Sequence, residues 1–572
     1  MKDYFAQFWG VRADGSNVGQ RLQDCLNQAG NEGGGRVVLN DYPSDTTDGV
    51  LIDSPIVMPP NVSLESTSDT KVKIRKSTSL TNWFQLSQDN RLHNIDLLSD
   101  GNVTNAMVQF LSGFNDCSVV DCDFSNGTET TSSLRMVQMF DGEGGVVEGC
   151  VMDRPKWGIQ ATDDNGAKNI RIKNNTITNV NDDGNHIFLS SIDDIKIQDN
   201  KLLAFIDTVK GSHHIQFRSK HTGGVARPPS ANVVISGNTV TGVPGVAAIS
   251  GVDNGGSGDM VVLRNVIGGR VFNNTLRHGG ELGIDVVDSS SDVHVYENDI
   301  AFIDASGIIV GSSLVLGGSP DNRVENVHVY RNTISDVGLD AAGTIQRMSK
   351  SGIRFWNCRR ASAYFNEIYR PGSYAISVRA NDADAPEYDV EEFSYGLNNC
   401  YEMNGEPHFF AGFNPTINED RASSNFTTAA NDGAASWAGA STASVGSNEP
   451  PLWAVGNTSP VVRWAVGSRI YTMRLIDDTK DPSINPAARD TANDAAATNG
   501  FAHWQLQYDT VPVLHDPDLA GYLWAAAQLS IPMDVVVGFG ATKTQHTILL
   551  APTVADYEEN PTAADQEAYT QI

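Results

Sequence analysis

Apolar and polar positions follow one short pattern that recurs along roughly 250 residues of the chain. Two or three alternating β-formers precede two spacer residues, an asparagine, one further residue and an aliphatic residue. The asparagine position, which we call the pivot, recurs at steps of 24 to 38 residues. The clear copies are Ile170–Ile177, Ile195–Leu202, Val233–Val240, Val293–Ile300 and Val327–Ile334, and looser copies place Asn274, Asn366, Cys122 and Cys150 at the pivot.

This repeated strand-and-turn pattern predicts an all-β fold, a right-handed parallel β-helix in which each copy forms one coil. Strand pairing would stack the coils about 4.8 Å apart. The pivot asparagine suits a turn that needs left-handed backbone, and stacked amides can hydrogen-bond along the axis. The alternative is a β-sandwich with asparagine-rich turns, but sandwiches do not repeat one pattern this often.

A second pattern lies between the pivots: a mostly small residue, an isoleucine and two or three alternating residues. Period-two geometry directs the isoleucine and the residue two positions later into the coil, so the residue between them points outward. The copy at Ala248–Gly251 aligns Ile249 with Ile284 of the next coil. The predicted outward column is Gln160, Phe188, Gln216, Ser250, Asp285, Ile309, Arg354 and Ser377, and the next is Thr162, Ser190, Arg218, Val252, Val287, Gly311, Trp356 and Arg379.

The same patterns divide the chain into four regions. Residues 1–40 are predicted to cap the β-helix with an amphipathic helix, because a solenoid end must be covered. Residues 41–400 form the β-helix, and residues 401–450 form a linker or transition. Residues 451–572 carry new alternating strands and are predicted to form a β-rich, sandwich-like domain for trimerisation or glycan binding. The apolar helical face is Leu22, Cys25, Leu26 and Ala29.

Composition narrows the function classes. The chain has 572 residues and a net charge of −29, which disfavours nucleic acid or an anionic membrane as partner. It contains no run of about 18 apolar residues, and its start lacks a sustained apolar signal region, so we predict neither membrane insertion nor a signal peptide. The six cysteines lack metal-type spacing and are predicted to be buried thiols. We predict no cofactor and no metal.

Four segments near the N-terminus are informative together: Phe8–Gly15 (FWGVRADG), Gln23–Ala29 (QDCLNQA), Gly33–Leu39 (GGGRVVL) and Pro59–Leu64 (PPNVSL). They resemble the first module of the pectate-lyase-like superfamily, which includes phage tailspikes, exopolygalacturonases and alginate epimerases. The alginate epimerase motif Tyr-Gly-Phe-Asp-Pro-His is absent from the sequence, and the polygalacturonase set is only echoed, by Asn181–Gly184 and His213–His214. The overall pattern is most similar to the tailspikes.

The resemblance implies a tailspike-type depolymerase that binds and cleaves a bacterial surface polysaccharide. It further implies a homotrimer about the long axis, and attachment to a virion tail or an adaptor protein, exposed to the extracellular medium. Strands and apolar residues within 421–572 could supply the trimer interface. The alternative is a monomeric solenoid with its own carbohydrate-binding domain.

Three carboxylates form the candidate catalytic group. In the predicted register Asp253 lies one coil below Asp288, and Asp285 lies on the outward column beside them. Their spacing approaches the roughly 5–9.5 Å that glycoside hydrolysis needs, and crowding would raise one pKa. The pair Asp253 and Asp288 could instead be residues of Asx turns. The candidate substrate contacts are Arg218, His214, Arg354, Trp356 and Arg379.

Two other activities remain open on the sequence. A lyase or epimerase acting on uronate-containing glycans needs a base and a cation, which a histidine-rich cluster could supply. A non-catalytic receptor-binding spike would grip glycan through Trp356 and the arginines. The members of the histidine-rich cluster are His213, His214, Arg218, Lys220 and His221.

Overall fold

In the computed structural model, three columns of parallel strands wind about one apolar core. The structure describes residues 2–39, 49–67, 71–76, 82–99, 106–126, 134–161, 166–178, 184–204, 213–218, 221–222, 225–226, 228–242, 258–311, 323–338, 351–372, 374–379, 390, 393–396, 398–401, 408–411, 417–418, 426–427, 461–466, 469–475, 504–509, 531–539 and 542–550.

The first sheet carries the candidate site. Its strands are Ile56–Val57, Asn82–Gln88, Ala106–Asn115, Arg135–Met139, Trp157–Ala161, Asn185–Leu189, Ile215–Phe217, Val261–Arg264, Ile284–Val287, Ile308–Val310, Ile353–Phe355, Ile376–Arg379 and His408–Ala411.

The second sheet precedes the pivot in each coil. Its strands are Asp3–Phe5, Gly35–Leu39, Val62–Ser66, Arg91–His93, Ser118–Val120, Gly142–Glu143, Val146–Glu148, Ala167–Lys173, Asp193–Gln198, Ser230–Ser236, Val266–Ile267, Arg270–Phe272, Ser291–Tyr296, Val324–Tyr330, Cys358–Tyr364, Phe393–Gly396 and Ile417–Asn418.

The third sheet follows the pivot. Its strands are Asp14–Asn17, Gly49–Ile52, Val72–Lys76, Ile95–Ser99, Asp123–Asn126, Val151–Asp153, Thr176–Thr178, Lys201–Leu203, Thr239–Thr241, Thr275–Arg277, Asp299–Ile303, Thr333–Val337, Glu367–Tyr369, Asn399–Tyr401 and Phe426–Thr427. A strand-turn-strand unit that repeats with parallel pairing in all three columns is a parallel β-helix, so the predicted fold class is confirmed.

The pivot asparagines stack as predicted. The backbone N–H and the Nδ2 of Asn175 both donate to Oδ1 of Asn200 at 3.0 Å, and the same pair of bonds recurs coil after coil. Each side chain also donates to a carbonyl of the preceding coil, so these buried amides are satisfied at both ends. Cys150 joins the ladder from below, because its N–H donates to Oδ1 of Asn175. The ladder continues through Asn238, Asn274, Asn298, Asn332, Asn366 and Asn398.

Left-handed backbone was expected at the pivot asparagine itself, and this prediction was wrong. Left-handed backbone occurs at the residue before the pivot, with φ of 56° at Asn174 and 56° at Asp199. The pivot side chain must point into the coil to reach its neighbours, so the turn is made by the exposed residue in front of it. Glycine takes that position only at Gly237 and Gly149.

The predicted inward columns are confirmed for all described coils except the one assigned to Ile249. Ile159, Ile187 and Ile215 are fully buried, and so are the residues two positions later in most coils. Burying one such side chain stabilises the fold by about 1.5–3 kcal/mol, and each coil repeats this burial.

The predicted amphipathic helix spans Gly19–Asn31, and its expected apolar face is buried. It contacts the strands Gly35–Leu39 and Ile56–Val57 at the start of the β-helix. The cysteines whose side chains are described, Cys25, Cys117, Cys122, Cys150 and Cys358, are buried and form no disulfide, as predicted. Within the described residues, no helix has the length and hydropathy that crossing a membrane requires.

The C-terminal region contains the predicted strands but their packing stays a prediction. Three antiparallel strands are Val461–Val466, Arg469–Leu475 and Trp504–Asp509, and a hairpin joins Ile531–Phe539 to Thr542–Leu550. A further short hairpin, His221–Thr222 with Val225–Ala226, lies between first-sheet and second-sheet strands of the β-helix.

Candidate active site

The register of the first sheet differs from the predicted one at a single coil. Val261 pairs with Ile215 on one side and with Ile284 on the other, so the strand Val261–Arg264 occupies the coil that was assigned to Ile249. The expected alignment of Ile249 with Ile284 is therefore wrong. Asp253 lies outside the described residues, within the connection 243–257. The outward column reads Gln216, Val262, Asp285, Ile309, Arg354 and Ser377.

Asp285 sits at the centre of this column, on the strand Ile284–Val287, between the apolar side chains of Val262 and Ile309. Its side chain is only 5% exposed. Burial raises the pKa of Asp285 well above its ordinary value, and the negative charge of Asp259 raises it further. Arg264 opposes these effects, while Asp288 and Glu281 add smaller increases. A buried carboxyl among other acids is therefore held in its protonated form.

Asp259 takes the place expected of Asp253 as the third carboxylate. Its Oδ1 accepts from the N–H of Leu282 at 3.2 Å, and its own N–H donates to Nδ1 of His213 at 3.0 Å. Burial raises the pKa of Asp259 to about 6, although Arg264 and the bond from Leu282 lower it. Oδ2 lies 3.4 Å from the same Nδ1 of His213. Because Nδ1 already accepts the N–H of Asp259, it offers no hydrogen bond to Oδ2, and the ionised carboxyl gains nothing from this contact.

His213 is neutral in this arrangement. Burial lowers the pKa of His213 to about 4, and the neighbouring charge of Arg264 lowers it too. Since Nδ1 accepts the N–H of Asp259, the neutral ring carries its proton on Nε2. Of the predicted histidine-rich cluster, His213 thus belongs to the carboxylate site. The side chains of Lys220 and His221 lie outside the described residues.

Asp288 follows the strand Ile284–Val287, at the end of the strand opposite Asp259. Its backbone is left-handed, with φ of 48°, and Ser289 after it is also left-handed at 64°. These values fit the alternative in which Asp288 is a turn residue. Its side chain is nevertheless 5% exposed and close enough to raise the pKa of Asp285, so one residue makes the turn and adds charge to the site.

His214 is not on the surface. It is 1% exposed, and its ring stacks on that of His186 inside the β-helix with centroids 4.6 Å apart. Burial lowers the pKa of both rings, to about 3 for His186. The prediction that His214 faces outward with Arg218 was wrong, because the small-residue position before the isoleucine points inward.

Three of the predicted contacts, Arg218, Trp356 and Arg379, lie at the carboxyl ends of first-sheet strands, whereas Arg354 lies within its strand. Arg218 and Arg264 occupy equivalent positions of adjacent strands, and both are half-buried. The guanidinium of Arg354 lies 4.6 Å from the ring centroid of Trp356. Gly311, with φ of 151°, leaves room for that tryptophan, because a Cβ there would lie 1.8 Å from the Trp356 carbonyl oxygen. Arg379 ends its strand, and its side chain is outside the described residues.

Sequence reasoning missed Asp259, Arg264 and Glu281. The copy at Ala248–Gly251 fits the second pattern better than Val261–Arg264 does, so the true strand was passed over. The signal for it is the unbroken apolar run Met260–Leu263, which is typical of a strand buried on both faces. In the described part of the chain, no group of three or more His, Cys, Asp or Glu side chains could hold a metal ion.

No protein-family model matches the chain, and no curated protein matches it. Among solved structures, the Dettilon tailspike protein is 9% identical, covering 82% of this chain and 78% of that one, with a TM-score of 0.37. The A-module of a mannuronan C-5 epimerase of Azotobacter vinelandii is 16% identical over 64% of this chain and 96% of that one, at 0.42. The family 28 exopolygalacturonase of Yersinia enterocolitica is 10% identical over 74% and 78%, at 0.41. Similarity at this level leaves function open, and the parallel β-helix is established by the chain's own strand register.

Proposed function

We propose that the protein is an enzyme that cleaves a polysaccharide, as an endo-acting glycosidase of the tailspike type. The observation that carries the proposal is the pair Asp285 and Asp259, two buried carboxyls with raised pKa values beside Arg264. Titratable groups with such shifts concentrate at active sites, because burying them otherwise only costs stability. The resemblance of the N-terminal segments to the pectate-lyase-like superfamily supports the substrate class.

The two carboxyls divide the work by their protonation. At neutral pH Asp259, with a pKa of about 6, is ionised, and its charge helps to keep Asp285 protonated. Asp285 therefore donates a proton to the glycosidic oxygen, and Asp259 accepts one from the attacking water. Asp288 adds negative charge that holds Asp285 in its acid form, and Arg264 steadies the ionised Asp259. Arg354 and Trp356 bind sugar on the adjoining coils.

A uronate lyase or epimerase is the second candidate, favoured by one observation. His213 is neutral beside Asp259 and Arg264, so its Nδ1 could take the C5 proton once it gives up the bond from the N–H of Asp259, while an arginine stabilises the carboxylate of the sugar. Cleavage would then produce unsaturated ends that absorb ultraviolet light. A non-catalytic spike that grips glycan through Arg354 and Trp356 would produce no ends at all.

The biological setting is part of the proposal. We place the protein on a virion tail, directly or through an adaptor, where it meets a bacterial surface polysaccharide. The homotrimer would form largely through residues 421–572. Light scattering of the full chain tests this, because a single species of 61.5 kDa would refute the trimer.

The deciding experiment compares variants on a panel of bacterial surface polysaccharides. Reducing ends, ultraviolet absorption and chain length are measured for the wild type, Asp285→Asn and Asp259→Asn. Asp194→Asn is the matched control, because Asp194 is exposed on the second sheet with left-handed backbone that asparagine also adopts. We expect new reducing ends from the wild type and the control only. Full activity in both site variants would refute the assignment.

A further inference from the structure

The outward face of the second sheet carries cations that have no acidic partner. Arg171 and Lys173 point outward from one strand, and Lys196 lies beside Arg171 on the next strand. All three side chains are exposed. Glu148 is in register with Lys173 on the strand before. Within the described residues, however, no ion pair or side-chain hydrogen bond engages any of the three charged groups, so they are free to bind a molecule from outside the chain.

This arrangement is unusual for the chain, which has 69 acidic and only 40 basic residues. Further along the same sheet a cation is paired, because Arg360 lies 2.9 Å from Glu325. Like charges directly opposite each other on paired strands destabilise a sheet. Arg171 beside Lys196 therefore lowers stability unless an anion lies against both. The unpaired cations point to an anionic ligand.

The same two outward columns continue into stacked aromatic rings. Arg270 lies on the column of Lys196, two strands further along, and Phe272 beside it begins a stack with Tyr296 and Tyr330. The ring centroids are 4.9 Å apart, with interplanar angles of 4° and 1°. Stacking covers the ring faces, so the half-buried rings turn their edges outward. Ring edges are the positive end of the aromatic quadrupole, and the tyrosine hydroxyls, which have no hydrogen-bond partner among the described residues, can donate to an anion.

We propose that this face of the β-helix is a second binding site, for an acidic polysaccharide. The site, which we call the second-sheet patch, consists of Arg171, Lys173, Lys196, Arg270, Tyr296 and Tyr330. Carboxylate, sulfate or phosphate groups of the glycan would lie against the cations and accept from the hydroxyls. Lys173 and Tyr330 are five strand pairings apart, which is about 24 Å at the usual separation of paired strands. A polymer fills this length, and a small anion does not.

The second-sheet patch lies on a different sheet from Asp285, so the inference goes beyond the proposed function and does not depend on it. A protein partner would need an apolar centre, which a patch of exposed charges does not provide. The net charge of −29 opposes a polymer as densely charged as a nucleic acid. A glycan with sparser acidic groups meets the local cations at the short range, about 8 Å, that physiological salt leaves unscreened.

The test measures binding of the full chain to sensor surfaces that carry one of four polymers. Polygalacturonate offers carboxylates on a glycan, and chondroitin sulfate offers sulfates as well. Dextran is the neutral glycan, and polyglutamate is a polyanion without sugar. Binding is measured at several salt concentrations, because contacts between exposed charges weaken as salt rises.

The main variant is Arg171→Gln with Lys196→Gln. The matched control is Arg12→Gln with Lys201→Gln, which removes the same charge from exposed positions outside the second sheet. Melting curves show whether each variant folds, and the main variant should melt no lower than the wild type, because it removes a repulsion.

We expect the wild type and the control to bind at least one acidic glycan, and the main variant to bind it roughly tenfold more weakly. Tyr296→Phe with Tyr330→Phe keeps the stacked rings and removes the hydroxyls, and it should bind about threefold more weakly. Equal binding by the main variant, equal binding to dextran or polyglutamate, or no binding to either acidic glycan would overturn the inference. Binding that depends on the patch, without cleavage of any polysaccharide, would sustain it while refuting the glycosidase. Cleavage without such binding would do the reverse.

Discussion

Replacing Asp259 by asparagine should stabilise the protein at neutral pH while removing its activity. The side chain of Asp259 is buried, and its Oδ2 faces Nδ1 of His213 at 3.4 Å, where two acceptors meet once the carboxyl ionises. An asparagine keeps the acceptor for the N–H of Leu282. It can also turn its N–H groups towards that nitrogen of His213, so two acceptors no longer face each other at neutral pH.

The size of the effect follows from the pKa of Asp259. In the folded chain this pKa is raised from 3.8 to about 6, which corresponds to a difference on the order of 3 kcal/mol between the two protonation states. Between these pH values the folded chain keeps a proton that the unfolded chain has released, so the contribution of this group to stability falls as pH rises. Asp259→Asn should therefore match the wild type near pH 3.5 and exceed it by up to about 3 kcal/mol at pH 7.

The assay is denaturant or thermal unfolding of the full chain at several pH values from 3.5 to 7.5, with polymer cleavage measured in parallel. Asp194→Asn serves again as the control, and its difference from the wild type should stay near zero throughout. If Asp259→Asn is less stable than the wild type at pH 7, the ionised carboxylate is stabilised by its neighbours, Arg264 above all. The argument that burial raises its pKa would then fail.

Three further outcomes are expected. Asp285→Asn should lower turnover at least about 100-fold, the usual effect of losing a general acid, with no loss in melting temperature. Asn298→Ala should lower the free energy of unfolding by about 2–5 kcal/mol, because it breaks several buried hydrogen bonds of the ladder. Asn273→Ala, at the exposed left-handed position, should lower it by only about 1 kcal/mol. Both values are measured by denaturant unfolding. Burial lowers the pKa of His186 and His214, so their contribution to stability is complete above about pH 6.5 and is lost as pH falls. Melting temperatures of His214→Leu should depend less on acid than those of the wild type, and an equal dependence would contradict this.

The fold was predictable because its determinants are local and repeated. Each coil writes the same alternation into its own sequence, and the pivot asparagine marks where the coil turns. The ladder from Asn175 to Asn366 and the buried columns followed from that alone, whereas its continuation to Asn398 was not predicted. The left-handed residue was predicted one position too late. The sequence shows that the chain turns here, but not which of two adjacent residues adopts the left-handed conformation.

The site was only half predictable. The outward position of Asp285 was predicted correctly because it depends on the alternation within one strand. The identity of the residues beside Asp285 depends on which segment forms the strand of the neighbouring coil. Two segments, Ala248–Gly251 and Val261–Arg264, competed for that coil. The second pattern favours Ala248–Gly251 because its residues match more closely. The pattern takes no account of how well the apolar run of the other segment would pack. The prediction for His214 failed because strict alternation places the residue before the isoleucine outward, whereas its ring stacks on that of His186 inside the β-helix.

The β-helix lets the two faces of one strand serve different purposes. Inward positions of the first sheet are apolar in almost every coil, while the outward column changes from glutamine to valine, aspartate, arginine and serine. Because each coil contacts only its neighbours, the cost of burying acids near Asp285 stays local and is offset by the ladder above and below. A site that lowers stability at neutral pH is expected to be retained only where it is used, and this is why we propose the buried carboxyls, rather than the many exposed ones, as the catalytic groups.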